Sequence, residues 1–250
     1  TTGLERIATV FQGGIPDRVP AGPLVCGASR RVYGVTYEEW SQDGEIMAKS
    51  QIQAHDLIGY DGILGLVDLS VEAADLGQKM VYPIEDTAHP DYDDPFIKTP
   101  DDYYKIEPVD PTKAPRMKEA LTYYDIICNE KAATTAIMGF VYAPLGILSM
   151  MRGAENLFRD CYKAKEAVIH AEEVINGVLI EYIKAISKTG CHAVVLDRRD
   201  LAVEQQVREG RMVAVPVQLG RPQVGQPVEP AGLPAGLQLP LAKAVCARVH

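Results

Sequence analysis

The sequence predicts an α/β protein in which a parallel sheet is covered by helices. Three observations predict it. Short apolar runs that read as strands alternate with longer segments of helical periodicity. The segment 164–188 carries a sustained i, i+3, i+4 apolar pattern of the kind a helix packed on a sheet requires. Two apolar runs end in a carboxylate, Asp68 and Asp197, at the strand ends where α/β folds build their sites. A closed barrel and an open doubly wound sheet both satisfy this order.

Residues 4–11 read as a short helix, followed by a turn over 13–17 and a first strand over 19–25 (VPAGPLV). Trp40, Ile46, Met47, Ile52, Leu57 and Ile58 recur at mostly helical spacing, so 37–58 is predicted as one helix with Gly59 as its stop. Residues 63–67 (ILGLV) form a buried strand that ends at Asp68, and 79–84 form a small excursion strand. The acidic, proline-punctuated stretch 85–115 holds few periodic apolar residues and reads as a long surface loop with short helices. Helical character resumes over 114–131. Residues 133–140 (ATTAIMGF) are β-branched or apolar enough for a buried strand, and 142–146 make a tight loop. Helices follow over 153–161 and 164–188, the latter with an inner face running from Ala167 to Ile186 that reads as pure core. Gly190 ends it, and 192–197 (HAVVLD) is the last strand.

The bulk properties narrow the partners. In 250 residues, 47% hydrophobic, a sizeable core can form, while a net charge of −9 disfavours a phosphate backbone, whose binding rests on lysine and arginine. No run approaches the roughly 20 apolar residues that span a bilayer, and Glu5 and Arg6 interrupt any signal-peptide core; a cytoplasmic protein is expected. Five cysteines without close pairing (Cys26, Cys128, Cys161, Cys191, Cys246) read as reduced, mostly buried thiols. No aromatic residue occurs after residue 198, and prolines at 216, 222, 227, 230, 234 and 240 forbid regular helices or central strands between them. Two segments are therefore expected: 1–198, and an atypical Pro/Gly-rich tail over 199–250 whose composition fits disorder or a shift of reading frame.

Leu4-Glu5-Arg6-Ile7 followed by Gly14-Ile15-Pro16-Asp17-Arg18-Val19-Pro20 resembles the opening of the uroporphyrinogen decarboxylase and corrinoid (cobamide) methyltransferase superfamily. Gly59-Tyr60-Asp61-Gly62, Asp68 with Val71-Glu72-Ala73 and Gly77, the 139–146 loop and Met151-Arg152-Gly153-Ala154-Glu155 follow in the expected order, so the resemblance covers residues 3–197. It implies a TIM-type (β/α)8 barrel with its cleft at the C-terminal ends of the strands. Only four main strands are predicted, so the chain is expected to hold the first half of such a barrel followed by an irregular tail. The open sheet edge would then favour self-association.

Two chemistries share the scaffold that this resemblance implies. Decarboxylases of porphyrin biosynthesis bind a porphyrinogen by its acidic side chains through an N-terminal arginine-rich signature. In its place stands Gly22-Pro23-Leu24-Val25-Cys26-Gly27-Ala28-Ser29-Arg30-Arg31, where the two adjacent arginines read as a surface feature. The PDRVP opening and the Asp-x-x-x-Glu-Ala stretch look closer to the methyltransferases, which act with a corrinoid protein and use zinc held by a His-x-Cys pair and a further cysteine. After Asp197 there is no His-x-Cys; Cys246 and His250 stand in the wrong order, and adjacent Cys191 and His192 would point to opposite faces of a strand. No metal ligands are assigned. A non-catalytic truncated domain is the remaining alternative.

Asp68 and Asp197 are the candidate catalytic residues, because a carboxylate at a barrel's mouth can accept a proton or bind a cationic group. Glu72 would share a helical face with Asp68 if a helix starts at once. Tyr142 and Pro144 are expected to line the cleft with Glu72, and Cys26, after the first strand, to face it as a substrate-binding residue.

Overall fold

The computed structural model describes residues 1–197. The proline- and glycine-rich tail, with Cys246 and His250 and the disorder and frame-shift readings of it, lies outside the described residues.

Helix α1 (Gly3–Phe11) opens with a capping box, in which Thr2 Oγ1 accepts from Glu5 N and the Glu5 carboxylate accepts from Thr2 N. Its Arg6 donates to Asp17 and to buried Asp61, which Arg18 holds through both guanidinium nitrogens. Asp61 also accepts from the Ala21 N–H, at 2.7 Å. This ion cluster replaces the first predicted strand, since 19–25 has no strand structure. Pro20 and Pro23 lack the N–H a ladder needs, and Val19 and Leu24, 86% and 67% exposed, have no core to enter.

A 3-10 turn (Cys26–Ser29) leads into α2 (Arg30–Tyr33), α3 (Tyr37–Gln42) and α4 (Gly44–Ile58). The single helix predicted over 37–58 is two helices. Asp43 takes an extended conformation, and its carboxylate accepts from the N–H groups of Glu45 and Ile46, capping α4. A short polar side chain that can bond its own backbone breaks a helix where apolar periodicity alone runs through. Gly59, at φ 76°, ends α4 as expected.

Strand β1 (Gly62–Gly65) and the short α5 (Val71–Asp75) come next, followed by a two-stranded antiparallel pair, β2 (Met80–Val81) with β3 (His89–Pro90). The stretch 85–115 is no mere surface loop. Its 3-10 helix (Pro100–Lys105) brings Tyr103 into the core, and Ile97 is equally inaccessible. Buried Asp160 accepts from both Tyr103 Oη and Arg152 Nε, and Ile97 N donates to Met151 O, so scattered long-range bonds hold a segment that has no local period.

Helix α6 (Pro115–Lys131) crosses to β4 (Ala136–Tyr142), then α7 (Pro144–Arg152), α8 (Ala154–Lys163) and α9 (Lys165–Lys188) cross to β5 (Ala193–Asp197). The three long strands form a parallel sheet in the order β1-β4-β5, with Gly65 opposite Gly139 and Tyr142 opposite Asp197. The predicted face of α9 is the buried one. The tight loop predicted over 142–146 is instead the start of α7, since Pro144 occupies the first helical turn, where its missing N–H costs nothing.

One side chain sets where β1 and β4 part. Beyond the Gly65–Gly139 pair, Tyr124 Oη of α6 donates to Gly65 O at 2.5 Å and accepts from Phe140 N at 3.0 Å. The hydroxyl thus stands between two backbone groups in place of a direct strand-to-strand bond. Gly65 is required there, because a Cβ would lie 2.2 Å from the Tyr124 ring.

Tyr124→Phe removes one hydroxyl and orphans two buried backbone groups, which costs about 2–4 kcal/mol and lowers the melting temperature by roughly 5–15 °C. Thermal unfolding followed by circular dichroism checks this; an unchanged midpoint would remove the hydroxyl from its bridging role.

Candidate active site at the carboxyl ends of the strands

Past Gly65 the chain leaves the sheet through Leu66 and Val67 to Asp68. One oxygen of the Asp68 carboxylate accepts from Ser70 N (2.8 Å) and Ser70 Oγ (2.6 Å), and the other accepts from Arg116 Nη2 (2.5 Å). Both partners of this ion pair are buried. Arg116 stands in the first turn of α6, which Asp75 caps by accepting from the N–H groups of Arg116 and Met117, at 3.0 and 2.7 Å. The guanidinium also lies 5.4 Å from the centre of the Tyr82 ring and donates to its hydroxyl. Three donors take up most of the acceptor capacity of Asp68, so the carboxylate is a fixed, charge-matched part of the wall.

Beyond Asp68 opens a cleft of about 280 Å³, lined among others by Cys26, Tyr37, Asp68, His89, Tyr92 and Met150. Cys26 sits in left-handed backbone at φ 42°, rare for a residue with a Cβ. Ser29 Oγ donates to its carbonyl, and Ser29 in turn lies 3.0 Å from Ser50 Oγ, which accepts from the Trp40 indole. Burial pushes the Cys26 thiol up, so at neutral pH it presents a neutral SH and not a thiolate. Behind the cleft, Arg30 is buried, stacks 4.4 Å from the Tyr37 ring centre and pairs with Glu85, so it is not the surface residue its sequence context suggested.

A second, water-sized void of about 10 Å³ lies behind Asp68, walled in part by Glu72, Tyr124 and Tyr182. Glu72, 3% exposed, accepts from the Tyr142 N–H at 3.0 Å. Burial pushes its carboxyl up to about 7; the Tyr142 N–H opposes the shift, while the neighbouring charge of Asp68 adds to it.

Asp68 and Cys26 are thus brought to one cleft, and Glu72 to the back of the same wall. The expected shared helical face of Asp68 and Glu72 is not what joins them, since α5 begins only at Val71. Tyr142 ends β4 directly opposite Asp197, which ends β5; neither is among the residues that line the cleft, and Pro144 is buried in α7. Sequence reasoning missed Arg116, whose only signal was its place after Pro115 at a helix start. It also missed His89 and Tyr92, carried in by a hairpin of two-residue strands.

Zinc does not fit the described residues. No three His, Cys, Asp or Glu side chains among them cluster as metal ligands. The thiols of Cys128 and Cys191 lie 3.5 Å apart, at the start of β5 and so at the opposite end of the sheet, while His192 Nδ1 accepts from the Ile137 N–H. Nor is any described helix long and apolar enough to cross a membrane.

A parallel sheet covered by helices, with a cleft beyond the carboxyl end of its first strand, defines an α/β protein of the kind that builds active sites at strand ends. The sequence profile of uroporphyrinogen decarboxylase (URO-D) matches residues 2–204, and the chain belongs to that family. A solved methyltransferase from Methanosarcina mazei shares the fold, with a TM-score of 0.68 at 18% identity over 78% of this chain. The match spans 58% of that protein's length. No curated protein matches the sequence.

Glu72 yields a pH prediction. With its folded pKa near 7 and its unfolded value near 4.5, the folded state binds the extra proton between them, so the stabilisation is present below 4.5 and lost as pH rises through 7. In urea unfolding at pH 5 and pH 7.5, the stability of Glu72→Gln relative to the wild type rises with pH by about 2–3 kcal/mol. A difference independent of pH would show that Glu72 is ionised throughout.

Proposed function

We propose that this chain belongs to the methyltransferase branch of its family and moves a methyl group to or from a corrinoid (cobamide) carried by a partner protein. The observation that carries this reading is the charge of the cleft. Among the described residues no lysine or arginine lines it; its one charged side chain, Asp68, is already matched by Arg116. A porphyrinogen, with its several carboxylates, would find no cation there, and an unmatched charge in a desolvated site costs several kcal/mol. A small methyl-bearing molecule has no such requirement. The methyltransferase title of the structural neighbour is consistent with this branch.

In this reading β1, β4 and β5 are the first three strands of a (β/α)8-type barrel, 1–198 is the catalytic segment, and 199–250 is a separate tail. Asp68, held by Ser70 and Arg116, is the polar residue that positions substrate at the mouth of the cleft, and Asp197 stands beside Tyr142 at the end of β5 as a second carboxylate. Cys26 forms part of the substrate wall; Tyr142, outside this cleft at the end of β4, meets with its hydroxyl a substrate that extends past the cleft, and Glu72 and Pro144 fix the turn that carries it. No step is routed through zinc.

The test uses the full chain with a purified corrinoid protein in its reduced form and a methyl donor, with methanol, methylamine and an aryl methyl ether tried in turn, following the absorbance change as the cobalt takes the methyl group and the demethylated donor leaves. Methyl transfer is expected, and Asp68→Asn, which breaks the Arg116 ion pair that fixes this wall, should lower kcat by about 10²-fold through misplaced substrate. Release of carbon dioxide from uroporphyrinogen, without methyl transfer, would overturn the reading.

A further inference from the structure

The lining of the main cleft has a specific chemistry. His89 and Tyr92 stack on one another with ring centres 5.8 Å apart and planes 5° from parallel, and both line the cleft, so an aromatic pair forms part of its wall. The Tyr37 ring is held in a fixed orientation by Arg30 against its face and by an edge contact with Trp40, 6.2 Å between centres. Met150 adds a thioether, a group that packs favourably against ring edges. The space, about 280 Å³, compares with the roughly 150 Å³ that encloses benzene. It suits one ring with a few further heavy atoms. The His89 Nδ1 lies 2.9 Å from the Pro90 carbonyl, so the ring donates there and keeps Nε2 as an acceptor when neutral. Asp68 is the one charged side chain in this lining among the described residues, and Arg116 matches it, so none of them offers an unpaired partner to an anion or a cation in the ligand.

We infer that this cleft binds a neutral, single-ring aromatic molecule, packed against the His89–Tyr92 pair and the Tyr37 ring. The assignment of that molecule as substrate rests on the functional reading above; its binding does not.

Calorimetric titration of the full chain with benzyl alcohol, benzoate, benzylamine and cyclohexylmethanol tests the inference. The four probes are close in size and differ in charge or aromaticity. Benzyl alcohol should bind at least about tenfold more tightly than either charged probe, which would have to shed water without gaining a partner. It should also bind at least about threefold more tightly than cyclohexylmethanol, the margin that aromatic stacking provides. Tyr92→Ala, at a mostly exposed side chain whose loss leaves the fold intact, should weaken benzyl alcohol about fivefold or more. Trp40, the sole tryptophan, touches Tyr37, so its fluorescence should change on binding and report that the variant is folded. Equal or tighter binding of a charged probe or of cyclohexylmethanol, an unaffected Tyr92→Ala, or no binding at millimolar benzyl alcohol would each overturn the inference. Selective binding without methyl transfer to a corrinoid protein upholds it and removes the methyltransferase reading; methyl transfer without benzyl alcohol binding does the reverse.

Discussion

A single hydroxyl, that of Tyr124, holds apart the ends of β1 and β4, and the geometry of the site depends on it. By accepting from Phe140 N and donating to Gly65 O it satisfies both strands while leaving them unpaired. β1 can therefore leave the sheet at Gly65 and carry Asp68 outward, while β4 continues to Tyr142. The same helix brings Arg116 to Asp68 eight residues earlier, roughly 12 Å along its axis. α6 thus acts as a ruler with two marks, one that opens the strands and one that clamps the residue emerging from the opening. Its own start is tied to α5 by the Asp75 cap, so helix, strand end and the turn between them form one rigid unit.

The burial of charge in that unit is costly, and every buried ion there is correspondingly provided for. Asp68 has Ser70 and Arg116; Arg116 has Asp68 and Tyr82; Asp75 has two backbone donors. Such a pair adds little net stability over an apolar equivalent, yet losing one partner is severe, so its effect is to hold one arrangement against others. Glu72 differs in accepting from a backbone donor with no cation in hydrogen-bond range among the described residues, which is why burial dominates and pushes its carboxyl up to about 7.

The segments that finish the cleft come from far along the chain. Cys26 and Tyr37 precede the first strand, His89 and Tyr92 come from the small hairpin, and Met150 comes from α7. The left-handed backbone of Cys26 persists because a relay through Ser29 and Ser50 to Trp40 holds its carbonyl, and the hairpin is positioned by a stretch anchored through Ile97 and Tyr103. That no lysine or arginine lines the cleft among the described residues is a property of this assembly and not of any one segment.

The sequence by itself determined the alternation of helices and strands, the buried face of α9, the stop at Gly59 and the family, because each rests on local periodicity, on single-residue stereochemistry or on motifs in order. Asp68 and Cys26, two of its candidate residues, line one cleft in the structure, although the strand expected to carry Cys26 there does not form. It misjudged 19–25, where prolines and an ion cluster around Asp61 displaced a strand that apolar content suggested. It also misjudged 37–58 and 142–146, where the side chain of Asp43 and the ring of Pro144 decided helix boundaries that periodicity cannot see. Only the tertiary structure decided that Arg116 meets Asp68, that Glu72 is sealed from water and that His89 and Tyr92 form one wall. Each is a meeting of residues distant in sequence, set by how α6 and the hairpin dock on the sheet, and docking is a property of the summed packing that no local pattern encodes.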